Sequence, residues 1–261
     1  MKRISIIIIA VCGLLAVAWA THFSIPLTGD KMTVISGKIN LFAVAAPISH
    51  WKMNDNAANT VVIDSVGTNN GVLTGAGNTS ASSVPGKINT ALTFDGTNDL
   101  VNCGTSADLD PGTNDFSVSM WVYAPRYVEN GGLLQKGGGA GIAQFYFRQN
   151  DGLGTLRFTT YDGSAPSTSV QSPTGYLPIS NWTHLVVARI ETTVYIYKNG
   201  TSISATGAVA NISNPTVPFN INSGPSDGYS GGFIDDVRFY NRGLSSSEIN
   251  AIYNGGNGTE L

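Results

Sequence analysis

Phe116-Ser117-Val118-Ser119-Met120-Trp121-Val122-Tyr123 puts Phe116, Val118, Met120 and Val122 on one side of an extended chain and Ser117, Ser119, Trp121 and Tyr123 on the other, because strand side chains alternate. One side is wholly apolar, so the stretch predicts a strand lining a core. Outward from it, residues 91–94, 100–103, 133–135, 144–148, 156–161, 183–190, 193–197 and 233–240 repeat the same short runs between clusters of Gly, Asn, Asp and Pro. Many short strands separated by turn residues predict an all-β, two-sheet antiparallel sandwich. Asn199-Gly200 sits between two such runs and predicts a type I′ hairpin, since Asn and Gly tolerate positive φ. A single helix is expected near the end of the chain. Ser245 and Glu248 form a capping box, Leu244 and Ile249 a hydrophobic staple, and Gly255-Gly256 a stop.

Composition agrees with a β-rich surface. Charged residues make up 12% of the 261, Gly occupies 31 positions, and the net charge is −3. No basic stripe is present that would neutralise phosphates, which argues against a nucleic-acid partner. The chain opens with Lys2 and Arg3, an apolar run over 4–17, and Ala18-Trp19-Ala20. This has the form of a signal peptide cleaved after Ala20. A hydrophobic helix left in place as a membrane anchor is the alternative, because the run lies at the lower limit for spanning a bilayer. Either outcome exports the rest of the chain, and a membrane contact arises only if the segment is uncleaved. The expected organisation is a leader over 1–20, a spacer over 21–47, one domain over 48–254 and a flexible tail over 255–261. Without the leader the domain holds a single cysteine, Cys103, which is expected to be a buried structural thiol and not half of a disulfide.

The segments that make this pattern resemble, in order, the LamG-like jelly-roll domains related to concanavalin A-like lectins, laminin G modules and pentraxins. The resemblance begins with His50-Trp51-Lys52-Met53, Asp64-Ser65-Val66-Gly67 and Asn70-Gly71. It continues through Pro85-Gly86-Lys87, Ala91-Leu92-Thr93-Phe94-Asp95-Gly96, the strand over 116–122 and Asn181-Trp182-Thr183-His184-Leu185-Val186. Tyr195-Ile196-Tyr197-Lys198-Asn199-Gly200 and Phe233-Ile234-Asp235-Asp236-Val237-Arg238-Phe239-Tyr240-Asn241-Arg242, with Leu244 and Glu248, complete it. It implies a concanavalin A-like jelly roll and a secreted or surface module that binds a glycan or a cell-surface protein. Fold alone does not decide this.

The same fold hosts glycoside hydrolases, which need two carboxylates across a sugar groove. After the leader the only glutamates are Glu129, Glu191, Glu248 and Glu260, and none forms the Glu-x-Asp-x-Glu strand of the related glucanases. Asp235 and Asp236 are adjacent, so strand alternation is expected to point them to opposite sides. His184 and His50 are expected to be packed and hydrogen-bonded, not catalytic bases. No enzyme is expected, although a glycosidase built on two aspartates brought together by folding is a further alternative. A structural Ca2+ ion is a sharper expectation, because hard cations collect carboxylate, amide and carbonyl oxygens. Asp235 matches the family position where related sandwiches hold an ion, and Asp55, Asn54 and Asp95 are the other candidate ligands. The competing expectation is that Asp64, Asp95 and Asp235 cap turns by accepting backbone N–H bonds. For a ligand, Tyr161 with Asp162 and Asp227 with Tyr229 each set an aromatic ring beside an acid and a glycine. Trp121 and Trp182 are expected in the core. A structural or adhesive protein working through protein contacts is the other functional class. An exposed strand edge or a flat apolar patch would favour it.

Overall fold

In the computed structural model the chain divides into two units, Met1–Ala45 and Ala46–Leu261. The structure describes the backbone of residues 3–10, 19–26, 33–35 and 38–40 in the first. In the second it describes 46–260, apart from 138–143, 163–164, 208–211, 213, 215 and 225–227.

In the first unit β1 (Arg3–Ala10) pairs antiparallel with β2 (Trp19–Pro26), and β3 (Thr33–Ile35) with β4 (Lys38–Asn40). The hydrophobic helix expected over the leader is therefore not formed by residues 3–10, and residues 11–18 of it lie outside the described residues. Ile4 and Ile6 through Ile9 are β-branched; such side chains lose rotamer freedom in a helix and favour an extended backbone.

The second unit is the expected sandwich. Sheet I runs in the order β15 (Ala165–Gln171), β14 (Leu156–Asp162), β13 (Phe145–Gln149), β12 (Gly132–Lys136), β19 (Phe219–Ile221), β10 (Leu100–Asn102), β7 (Gly71–Thr74) and β6 (Val61–Val62). Sheet II runs β18 (Thr201–Thr206), β17 (Thr193–Lys198), β16 (Trp182–Ile190), β11 (Phe116–Tyr123), β20 (Gly232–Tyr240), β9 (Thr90–Phe94) and β8 (Ser83–Pro85), and β5 (Ser49–Trp51) also pairs with β20. Every ladder in both sheets is antiparallel.

The core between the sheets follows the alternation. Phe116, Val118, Met120 and Val122 are all buried. Phe116 meets Phe239 across sheet II and Phe145 from sheet I, with ring centroids 6.1 and 4.8 Å apart, and Phe219 and Trp51 extend the cluster. Cys103 lies in this core as a free thiol.

The hairpin at Asn199-Gly200 joins β17 to β18, with φ of 50° and 85° at its two turn residues. Helix α1 (Ser246–Tyr253) carries the full capping box at Ser245 and Glu248. It ends at Asn254, in the left-handed region, one residue before the expected glycines. Residues after the helix, expected to trail as a flexible tail, are held against the body. Thr259 Oγ1 donates to Ala251 O at 2.8 Å, Asn254 Nδ2 donates to Gly258 O at 2.8 Å, and Arg238 donates to Thr259 O. Among the described residues no helix is long and apolar enough to cross a membrane.

Candidate functional site

The outer side of sheet II has two ends of different character. At one end, Ser117, Ser119 and Trp121 from β11, His184 from β16 and Arg238 and Tyr240 from β20 lie beneath α1 and the segment that follows it. Leu244 N–H donates to Ser117 Oγ at 3.0 Å, and the Tyr253 ring lies 5.9 Å from both Trp121 and His184. Trp121 is buried as expected, but under this cover and not between the sheets. His184 is fully buried and bonds Ser119 Oγ at 3.1 Å. Burial, reinforced by the nearby Arg238 charge, pulls its pKa down to about 3, so it stays neutral.

A bulge in β20 changes the expected geometry of the aspartate pair. Ser119 pairs with Arg238 but Trp121 pairs with Asp235, so β20 carries one residue more than β11 over this step. Asp236 absorbs it at φ 52°. Both carboxylates therefore leave the sheet on its outer side, where alternation alone had separated them. Asp236 accepts from His50 Nε2 at 2.6 Å and pairs with Arg238 Nη2 at 2.8 Å. Burial pushes Asp236 up, but Arg238 and His50 more than offset it and hold the carboxyl below its usual range. Burial raises Asp235 to about 7 against the Ile88 N–H bond, and the negative charge of Asp236 adds to the rise. The two share a side, yet both are buried, so they offer a substrate no entry.

The four residues expected to hold Ca2+ are not brought together. Asp235 Oδ2 accepts from Ile88 N–H at 2.7 Å, Asp55 Oδ1 from Ile63 N–H at 2.9 Å, and Asp95 Oδ1 from Thr97 N–H at 2.7 Å. Asn54 is half-buried beside Asp55 in sequence. β5 does lie against β20, with Trp51 opposite Val237. Met53, at φ 59°, then turns the chain aside, and β9 takes the adjoining stretch of β20 with Leu92 opposite Ile234. Among the described residues no three His, Cys, Asp or Glu side chains gather where an ion could be held. Asp64 shows what such carboxylates do here, accepting backbone N–H bonds from His50, Val66, Gly67 and Asn69.

The other end of the outer side is open. Tyr123, Trp182 and Phe233, from the ends of three neighbouring strands, are each half-exposed and touch one another. Tyr123 stacks on Phe233 at 5.0 Å, Trp182 meets Tyr123 edge-on at 5.8 Å, and Trp182 lies 6.3 Å from Phe233. Trp182, expected in the core, is thus part of a surface platform. A cleft of about 170 Å³ adjoins it, lined by Thr93, Asp95, Arg126, Ser230 and Phe233 among others. Its wall depends on Gly232, at φ 93°, where a Cβ would come within 2.3 Å of Tyr123 O. Asp95 borders this cleft. Tyr229 is half-buried just before the cleft segment and bridges to Gly132, while Asp227 lies outside the described residues. Tyr161 belongs to sheet I, beside Tyr146 at 5.6 Å, and only the backbone of Asp162 is described, within β14.

A family model described as concanavalin A-like lectin/glucanases superfamily matches residues 95–250. No curated protein matches the sequence. Among solved structures the chain is similar to the binding domain of Paraclostridial Mosquitocidal Protein 1, at 18% identity and a TM-score of 0.63, over 82% of this chain and 53% of that one. It is similar to domain 4 of AbnA, a GH43 extracellular arabinanase from Geobacillus stearothermophilus solved with arabinotriose, at 22% identity and a TM-score of 0.59, over 79% and 97% of the two chains. It is also similar to Trypanosoma rangeli sialidase in complex with sialic acid, at 19% identity and a TM-score of 0.59, over 88% of this chain and 36% of that one. The chain thus spans about half of the mosquitocidal binding domain, and at these identities the likeness is one of fold.

Proposed function

The chain belongs to the concanavalin A-like lectin/glucanases superfamily, and from that premise we propose that it is an exported, noncatalytic binding module whose ligand is a glycan. The carrying observation is the platform of Tyr123, Trp182 and Phe233 beside the cleft bordered by Asp95 and Arg126. Aromatic faces stack on the apolar faces of sugar rings, and a few fixed polar groups select hydroxyls. Asp95, Arg126 and Thr93 supply such groups at the edge of the rings. The lack of a glucanase glutamate set and the burial of the Asp235 and Asp236 pair support binding over hydrolysis. So do the similar structures of a mosquitocidal protein's binding domain and of an arabinanase domain solved with arabinotriose. Export rests on the leader over 1–20.

A second reading has its own observation. Val61, Ile63, Val66 and Val72 stand 37, 55, 51 and 49% exposed around β6, the last strand of sheet I. An apolar sheet edge of this kind favours protein contact. Screening the domain on an array of neutral oligosaccharides, with sedimentation of the free protein alongside, separates the two. Retention of a neutral oligosaccharide, weakened about tenfold or more in Trp182→Ala while the fold is kept, is expected. A blank array with concentration-dependent association would transfer the function to the β6 edge.

A further inference from the structure

Sheet I carries a charge arrangement that neither the fold nor the platform on sheet II requires. In β13, Phe145 and Phe147 enter the core, so Tyr146 and Arg148 emerge on the outer side. In β14, Phe158 enters the core, so Arg157 and Thr159 emerge. The register sets Arg148 directly opposite Arg157. Like charges facing each other across a ladder destabilise it, and the cost is usually relieved by a carboxylate between them. Among the described residues neither arginine has a carboxylate partner within 4 Å. The chain as a whole is acidic, at −3, so this local excess of positive charge stands against the average.

Both guanidinium groups are positioned and half-exposed. Arg148 lies over the Tyr146 ring at 4.8 Å and donates to Asn150 Oδ1 at 3.1 Å, and its Nε has no partner. Arg157 Nε donates to Ser169 Oγ at 2.9 Å, and Ser169 in turn bonds Thr159 Oγ1 at 2.9 Å. On the far side of Arg148 the facing residue of β12 is Gly132, which contributes no side chain. One strand further on from Tyr146, Gln135 faces it with its Nε2 unpartnered. The field of the pair reaches its neighbours. Burial pushes the Tyr146 hydroxyl up, yet hydrogen bonds with Thr159 and Tyr161 and the charges of Arg148 and Arg157 hold it below the usual phenol value.

Two fixed guanidinium groups with free donors, edged by tyrosine rings and hydroxyls, suit an oxyanion on a hydroxylated ring. We propose that Arg148 and Arg157 form a second binding site, on the outer side of sheet I, that takes the oxyanion of an acidic saccharide. The site shares no residue with the sheet II platform, so either can fail without the other.

The test is an array of carboxylated and sulfated oligosaccharides printed beside their neutral parents, followed by titration of the best binder. Acidic members are expected to be retained over their parents, and binding to weaken as salt rises from about 0.05 to about 0.5 M. Arg148→Gln or Arg157→Gln is expected to cost about tenfold or more, Arg157→Lys less, and Trp182→Ala nothing. Which printed group binds identifies the oxyanion as carboxylate or sulfate. Removing one of two opposed charges is also expected to leave the melting temperature unchanged or raise it, which keeps loss of binding apart from loss of fold. Equal retention of acidic and neutral members, or undiminished binding by Arg148→Gln and Arg157→Gln, would overturn the proposal.

Discussion

Asp235 is a carboxylate whose proton is tied to folding. Its folded pKa of about 7 lies above the ordinary 3.8, so between those values the folded chain holds a proton that the unfolded chain has released. Stability at this residue therefore falls as pH rises from about 4 to about 7 and is level above. Asp235→Asn keeps a group that can accept the Ile88 N–H and removes the titration. Melting curves of the two proteins are expected to coincide near pH 4 and to diverge in favour of the variant up to pH 7, by roughly 2–4 °C per kcal/mol for a domain of this size. Parallel curves across that range would mean that Asp235 titrates normally. Plain alternation sets the two adjacent aspartates on opposite sides. That they share a side depends on one extra residue in β20, and its mark is the three-residue step from Ile234 to Val237, both in the core, where Val237 to Phe239 keeps a step of two. The step alone does not say which residue is the extra one. Trp182 shows the same limit. Its strand alternates correctly, but whether an outward ring is covered by α1, as Trp121 is, or left bare depends on where a distant helix comes to rest.

At the scale of elements, local rules read well wherever partners are near in sequence. The capping box, the staple and the Asn199-Gly200 hairpin are legible because each is complete within a few residues. Glu248 joins the box to a further contact, its carboxylate held by Arg242 at 2.6 and 3.1 Å. Ser245→Ala is expected to lower stability by about 1 kcal/mol, seen as a drop in melting temperature with the sheets intact by circular dichroism. Burial pushes Glu248 up, but Arg242 and Ser245 outweigh it and bring it down to about 2 from 4.5. Its contribution is thus present above pH 4.5 and lost as pH falls through about 2. Accordingly, Glu248→Gln is expected to destabilise at pH 6 and to match the parent near pH 2. The platform of Tyr123, Trp182 and Phe233 was not legible, since it joins the ends of three strands separated by some fifty residues each. Tyr161 was legible as the end of the strand over 156–161, but its company of Tyr146, Arg148 and Arg157 is a product of register.

For the whole molecule, the two sheets close over one continuous core, and Cys103 reports on that closure from inside. Burial raises its thiol well above the usual value, with Asp64 adding to the effect, so native protein is expected to be inert to thiol reagents. Labelling with a chromogenic disulfide should follow the global unfolding transition in urea. Labelling that runs ahead of that transition would show the sheets parting locally near β10.

β20 lies between β11 on one side and β9 and β5 on the other, so the centre of sheet II is filled by the last strand to be made. A ribosome adding about 5 to 20 residues each second leaves β5, β9 and β11 without that strand for on the order of ten seconds. Through that interval the nascent chain holds open edges, which are the parts of a sheet most prone to pair with another chain. Under the export proposed above, the same delay would leave the chain unfolded for passage through a translocation channel, and the sandwich would close on the far side of the membrane.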